Sequence, residues 1–146
     1  MSCVWDGILK ALYTDYYSCQ DKELKYKIMN LNVYTLVQLL KYNNIPSDKV
    51  LWKTLDNHCI LTERQIEENY NSIKQIDEKS INNGYDCSSC EPVFFLLCTI
   101  FKVNIIHNYN GVVIHYVYQD EQNGRKNYEF GSNNNHFWFI QISNHF

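Results

Sequence analysis

Hydrophobic residues recur at helical spacing in the first part of the chain. Such spacing places apolar side chains on one side of a helix, and a Ser, Thr or Asn directly before the run is a typical N-terminal cap. Three helices are predicted on this basis: Ser2 with Trp5, Ile8, Leu9 and Leu12; Asn32 with Val33, Leu36, Val37 and Leu40, ending near Asn43–Asn44; and the capping box Thr62–Gln65 with Ile66, Tyr70 and Ile73.

A fourth helix is predicted after a second box-like start. Ser88 and Glu91 stand at the spacing of a capping box, and Pro92 suits the first turn of a helix. The segment Val93–Phe101 is apolar on almost all sides. We therefore expect it to form the central buried helix of the fold.

From Lys102 onward the period of the hydrophobic pattern changes to two, which indicates strands. Asn110-Gly111 predicts a two-residue type I′ turn, and Asn123-Gly124 predicts a second turn. The predicted strands are Val103–His107, Val112–Tyr118, Asn127–Phe130 and Phe137–Ile142. Helices followed by a small antiparallel sheet indicate an α+β fold.

Length and composition predict a single domain that spans residues 1–146. The chain has 146 residues, 45% of them hydrophobic, which is enough to bury a core. It shows no internal repeat, no Pro- or Ser-rich linker and no block of like charge. We therefore expect a single compact unit.

Charge and cysteine content exclude several classes of protein. A net charge of −3 does not indicate a basic surface that would bind nucleic acid. No apolar run reaches about 18 residues and no signal peptide is visible, so we predict neither a membrane span nor secretion. Six cysteines in such a chain favour free thiols and an intracellular location.

The second half of the chain resembles the ovarian-tumour (OTU) family of papain-like cysteine proteases and deubiquitinases. The resemblance rests on the Gly84-Tyr85 loop, Glu91 at the head of a buried helix, the apolar strand at 103–106, a hairpin, and the His136-Phe137 pair on the last strand. It implies a single papain-like, OTU-like domain. In the family, the His-aromatic pair carries the catalytic base.

The first helix matches the family's nucleophile motif incompletely. The family has Asp-Gly-x-Cys followed by an aromatic residue, a basic residue and Ala-Leu. Aligning Lys10-Ala11-Leu12 places Gly7 where the cysteine belongs, whereas aligning Asp6-Gly7 places Leu9 there. Neither residue carries sulfur, so the resemblance implies either a displaced nucleophile or none.

The resemblance also suggests which residues carry the chemistry of an active enzyme. A thiol hydrolase needs a thiolate at a helix N-terminus, an imidazole within reach, and a group that orients the ring. Cys3 is the candidate nucleophile and His136 the candidate base; Asp6, Asn134 and Asn135 are candidates for orienting the ring. The alternatives are a cysteine in a frayed terminus and a histidine that only caps a strand.

Other cysteines and histidines give weaker signals. Cys87-Ser-Ser-Cys90 has the spacing of half a zinc site, but the sequence offers no matching second pair. His107 and His115 fall on the two strands of the predicted hairpin, and we expect both on solvated strand faces. We therefore predict no metal site and no cofactor.

Two functions from different classes remain open. One is a divergent OTU-like protein without catalysis, which binds a ubiquitin-like, host or virion protein. The other is an active deubiquitinase that cleaves isopeptide bonds with Cys3 and His136. Richness in Asn, Ile, Lys and Tyr is typical of AT-rich genomes, and the chain resembles OTU-like products of large DNA viruses or other AT-rich viruses. This resemblance implies action in the host cytoplasm or the virion.

Overall fold

A computed structural model describes residues 3–18, 21–44, 49–54, 58–60, 63–76, 91–119, 125–133 and 136–144. These segments contain helices and one mixed sheet, which confirms the α+β class. The helices are α1 (Cys3–Ser18), α2 (Lys22–Ile28), α3 (Val33–Tyr42), α4 (Glu63–Lys74) and α5 (Pro92–Phe101). The strands are β1 (Val50–Lys53), β2 (His58–Ile60), β3 (Asn104–Tyr109), β4 (Val112–Tyr118), β5 (Asn127–Ser132) and β6 (Phe137–Ser143).

Within the described segments, the sheet has six strands in the order β2-β1-β4-β3-β5-β6. The β3–β4 hairpin turns at Asn110 and Gly111, whose φ angles of 48° and 86° confirm the predicted type I′ turn. After β4, the chain crosses β3 and joins its other side as β5, parallel to β3. The expectation of a wholly antiparallel sheet is therefore wrong for this one pair.

The helices that touch the sheet pack on one of its faces. α1 lies along β6, and α5 lies across β1, β3 and β4. We call this side the inner face; Tyr116, Phe130 and Phe137 belong to it and pack around Phe94 of α5. Because side chains alternate along a strand, Glu129, Gly131 and Trp138 belong to the opposite, outer face.

The helix ends show where local sequence signals were sufficient. Asn32 caps α3, as predicted, and Thr35 completes a reciprocal capping box that was not predicted. The short helix α2 was not predicted; it has only seven residues, and Asp21 caps it by accepting from the Glu23 and Leu24 amides. Seven residues are too few for a clear helical period.

The start of α5 differs from the prediction by three residues. Glu91 is the N-cap, with extended backbone angles, and its carboxylate accepts from the Val93 amide. Pro92 begins the helix, where its missing N–H costs nothing. Ser88, the predicted cap, lies outside the described residues. As predicted, α5 is almost completely buried.

In α1, most of the apolar residues that the helical pattern indicated are buried, and Val4 and Ala11 are buried with them. Trp5, Ile8 and Leu12 are inaccessible to solvent, and Leu9 packs at the margin of the core. At the far end of α1, the buried carboxylate of Asp15 accepts hydrogen bonds from Lys126 and from the Tyr128 hydroxyl. These bonds attach the end of α1 to the beginning of β5.

Candidate functional site

The first turn of α1 lies at the same end of the molecule as the start of β6. Near its beginning, α1 meets β6 where Gly7 approaches the Phe137 ring. Near its end, Asp15 meets Tyr128, which pairs with Ile142 late in β6. The helix and the strand therefore run in the same direction. We call residues 3–9 of α1 together with residues 136–139 the α1–β6 corner.

Cys3 is the first residue of α1, four residues and about 6 Å of helix before Gly7. Its backbone therefore stands at the positive end of the helix dipole, which favours a thiolate. The Cys3 side chain itself lies outside the described part of the chain. The structure thus places the backbone of the candidate nucleophile at the expected end, but does not establish a dyad.

His136 is exposed and its ring lies beside an outer-face residue. The imidazole stacks on the Trp138 indole, with 5.7 Å between ring centroids and 19° between the planes. The His136 amide donates to Asn133 Oδ1 at 2.9 Å, which closes the loop before β6. Among the described residues, Asn133 and Trp138 are therefore the partners that position His136.

Asp6, the candidate that would orient the imidazole, is exposed in the first turn of α1. No hydrogen bond joins Asp6 to His136 within the described segments. The alternatives Asn134 and Asn135 lie outside those segments. Within the described segments, Asp6 and His136 lie at one corner without a hydrogen bond between them.

Gly7, the position that the resemblance assigns to the nucleophile, is closed off by an aromatic ring. A Cβ atom at Gly7 would lie 2.6 Å from a carbon of the Phe137 ring, closer than such atoms approach in real structures. Phe137 is itself buried and stacks on Phe130. Leu9, the slot in the other alignment, packs against the core. Neither position presents a nucleophile.

Sequence reasoning missed a buried polar pair behind this ring. His107 is inaccessible to solvent, so the expectation of a solvated strand face is wrong for this residue. Its Nε2 lies 2.7 Å from Ser132 Oγ, and burial lowers its pKa to about 4. The alternation from Val103 and Ile105, both buried, would have placed His107 inward. That parity was the available signal.

His115 lies on the outer face, as expected, but is partly buried. Burial lowers its pKa, nearby Lys53 lowers it further, and Glu129 acts in the opposite sense. Glu129 also accepts from Asn108 and Gln141, each at 3.4 Å. The middle of the outer face is therefore a polar row held by side-chain contacts.

Within the described segments, no three His, Cys, Asp or Glu side chains converge as a metal site would require. Cys87 and Cys90 lie outside those segments. None of the described helices is both long enough and apolar enough to cross a bilayer.

Comparison with known proteins adds no relative to this description: no family model, no curated protein and no solved structure matches the chain.

Proposed function

We propose that this chain is a non-catalytic, OTU-like protein-binding module. The observation that supports the proposal most directly is the contact between Gly7 and Phe137. Where the resemblance expects a cysteine, the helix approaches β6 so closely that even a Cβ atom has no space. A nucleophile at this position would require the buried Phe137 ring to move, and that ring is held by Phe94 and Phe130.

The position of His136 supports the same proposal. A general base must reach the nucleophile directly or through one water. The His136 ring stacks on Trp138, whose indole covers Gly131 of β5 on the outer face, whereas Gly7 contacts the inner-facing Phe137. The base and the slot of the nucleophile thus lie on different sides of β6.

The partner class follows from the resemblance. We propose a protein partner, either ubiquitin-like or another host or virion protein, which is bound in the host cytoplasm or the virion. Exposed Trp138 beside His136 gives the α1–β6 corner an amphipathic aromatic surface. Such residues are enriched where proteins bind one another.

The second candidate function is an active cysteine protease, and one observation favours it. Cys3 begins α1 at the end of the molecule where His136 lies. In this mechanism the Cys3 thiolate adds to an isopeptide carbonyl, and protonated His136 gives its proton to the departing lysine amine. The acyl-enzyme is then hydrolysed, and Asp6 orients the imidazole.

A ubiquitin derivative with a C-terminal electrophile separates the two functions. The non-catalytic proposal expects no covalent adduct with the folded protein, while unmodified ubiquitin perturbs amide resonances at the α1–β6 corner. Cys19, the next cysteine in the sequence, is the control. An adduct that maps to Cys3 and disappears in Cys3→Ala, but not in Cys19→Ala, would establish the protease instead. If the experiment gives no adduct and no change in the resonances, ubiquitin is excluded as the partner.

A further inference from the structure

The buried pair of His107 and Ser132 has no role in the proposed function. His107 is completely inaccessible to solvent, and its Nε2 is satisfied by Ser132 Oγ at 2.7 Å. Its second ring nitrogen, Nδ1, is buried and has no hydrogen-bond partner among the described residues. A buried polar atom without a hydrogen-bond partner is rare in native structures, and it lowers the stability of the folded state.

Aromatic rings surround the imidazole. Phe94 of α5 lies edge-to-face at 5.0 Å, Tyr109 of β3 at 5.6 Å, and Phe137 of β6 at 6.1 Å between centroids. These neighbours accommodate a neutral imidazole. They offer no carboxylate to a charged one.

The charged groups on the surrounding elements have other partners or face solvent. On β5, Glu129 belongs to the outer face and accepts from Asn108 and Gln141. At the head of α5, Glu91 accepts from the Val93 amide. On α1, Asp6 is exposed beside Gly7. Among the described residues, Tyr109 is the remaining titratable group in contact with the ring.

We infer that the His107–Ser132 pair is an acid-sensitive lock on the α1–β6 corner. Protonation gives His107 two N–H donors and a positive charge. The described residues around it provide a hydrogen-bond partner for one ring nitrogen and no opposite charge. The folded corner therefore excludes the proton, whereas an opened corner hydrates and accepts it. Acid shifts the balance toward the opened form.

The contacts of Phe137 indicate which part opens. Phe137 touches the imidazole on one side and Gly7 of α1 on the other. In the described part of the sheet β6 is an edge strand that pairs with β5, and Phe137 pairs with Ser132, the partner of His107. Release of Phe137 therefore disengages the start of β6 and the first turn of α1 together. α5 and β3 keep their remaining contacts.

The sign and the pH window follow from proton linkage. The pKa of His107 is lowered to about 4 in the folded protein, against about 6.5 for an exposed imidazole. Above pH 6.5 both forms are neutral and opening is independent of pH. Between pH 6.5 and about 4 the opened form gains a proton that the closed form lacks, so opening increases. From pH 7 to pH 5 the opening equilibrium should rise about 20-fold.

Hydrogen exchange of the free protein tests the lock without any partner and independently of the proposed function. Exchange is measured at pH 7 and pH 5, with labelling times scaled for the intrinsic exchange rate. We expect protection in 3–9 and 136–139 to fall about 20-fold at pH 5, and protection in α5 to change less. An equal loss in α5 would mean global unfolding and would overturn the local lock.

Two variants assign the effect to His107. His107→Gln keeps a side chain that bonds Ser132 but removes the titration, and should abolish most of the acid-dependent loss. His115→Gln, on the outer face, is the matched control and should leave the loss intact. The inference fails if His107→Gln opens in acid as the wild type does. If His107→Gln does not fold, the wild-type imidazole is titrated by NMR, and a His107 pKa of 6.5 or above would overturn the lock.

Discussion

Two neighbouring residues of β6 meet glycines on opposite faces of the sheet. A Cβ atom at Gly7 would lie 2.6 Å from the ring of Phe137, and one at Gly131 would lie 2.5 Å from the indole of Trp138. The two approaches are equally close. The rings differ in freedom, because Phe137 is 4% exposed and Trp138 is 38% exposed.

This difference separates a packed face of β6 from a solvent-exposed one. On the inner face, the ring of Phe137 is enclosed by α1, α5 and β5, so Gly7 fixes the distance between helix and sheet. On the outer face, Trp138 covers Gly131 but keeps a solvent-facing side on which His136 stacks. The histidines follow the same division, since His107 is enclosed and His136 is exposed.

The largest expected effect comes from removing the enclosed ring. Phe137→Ala should lower the free energy of unfolding by about 3 to 5 kcal/mol, because a buried ring is lost and a cavity remains. Trp138→Ala should cost about 1 kcal/mol, since its ring is already partly solvated. Urea denaturation of both variants measures the difference. Equal costs would mean that the two faces of β6 are equally packed.

A smaller effect is expected from adding one methyl group at Gly7. Overpacking costs about 1 to 3 kcal/mol, and the better helix propensity of alanine returns about 1 kcal/mol. Gly7→Ala should therefore destabilise the protein by about 1 kcal/mol in urea denaturation.

The same helix supplies the control for Gly7→Ala. Thr14→Ala, on the exposed side of α1, changes helix propensity without meeting a ring. Phe137→Leu combined with Gly7→Ala should cost less than the sum of the two single variants, because the smaller side chain leaves space for the Cβ atom. Strict additivity would contradict a direct clash.

Local sequence signals predicted much of the fold, because turns and helix caps depend on residues that are close together in the chain. The type I′ turn follows from Asn110-Gly111, and the cap of α3 follows from Asn32. The parallel pairing of β3 with β5 could not be read in this way, because it depends on the path of the chain after β4. Strand order is a property of long-range packing.

The candidate site was less predictable than the fold for the same reason. That the two chain ends meet was expected, and α1 does begin beside the start of β6. Whether a ring at 136 or 137 faces the helix depends on the register of β6, and one residue of shift exchanges the faces. The parity of β3 would have placed His107 inward, but its enclosure by Ser132 of β5 and Phe137 of β6 depends on long-range packing.

The smallest expected effect belongs to Gly131→Ala. Its Cβ atom meets the indole of Trp138, which can rotate toward solvent, and alanine restricts the unfolded chain more than glycine does. The free energy of unfolding should change by no more than about 0.5 kcal/mol. The displaced indole should instead alter the stack with His136, seen as a shift of the His136 ring protons in NMR spectra. Gly7→Ala should leave those protons unchanged, because its ring is on the other face. A stability loss for Gly131→Ala as large as that for Gly7→Ala would show that Trp138 is held as rigidly as Phe137, and the distinction between the two faces would fail.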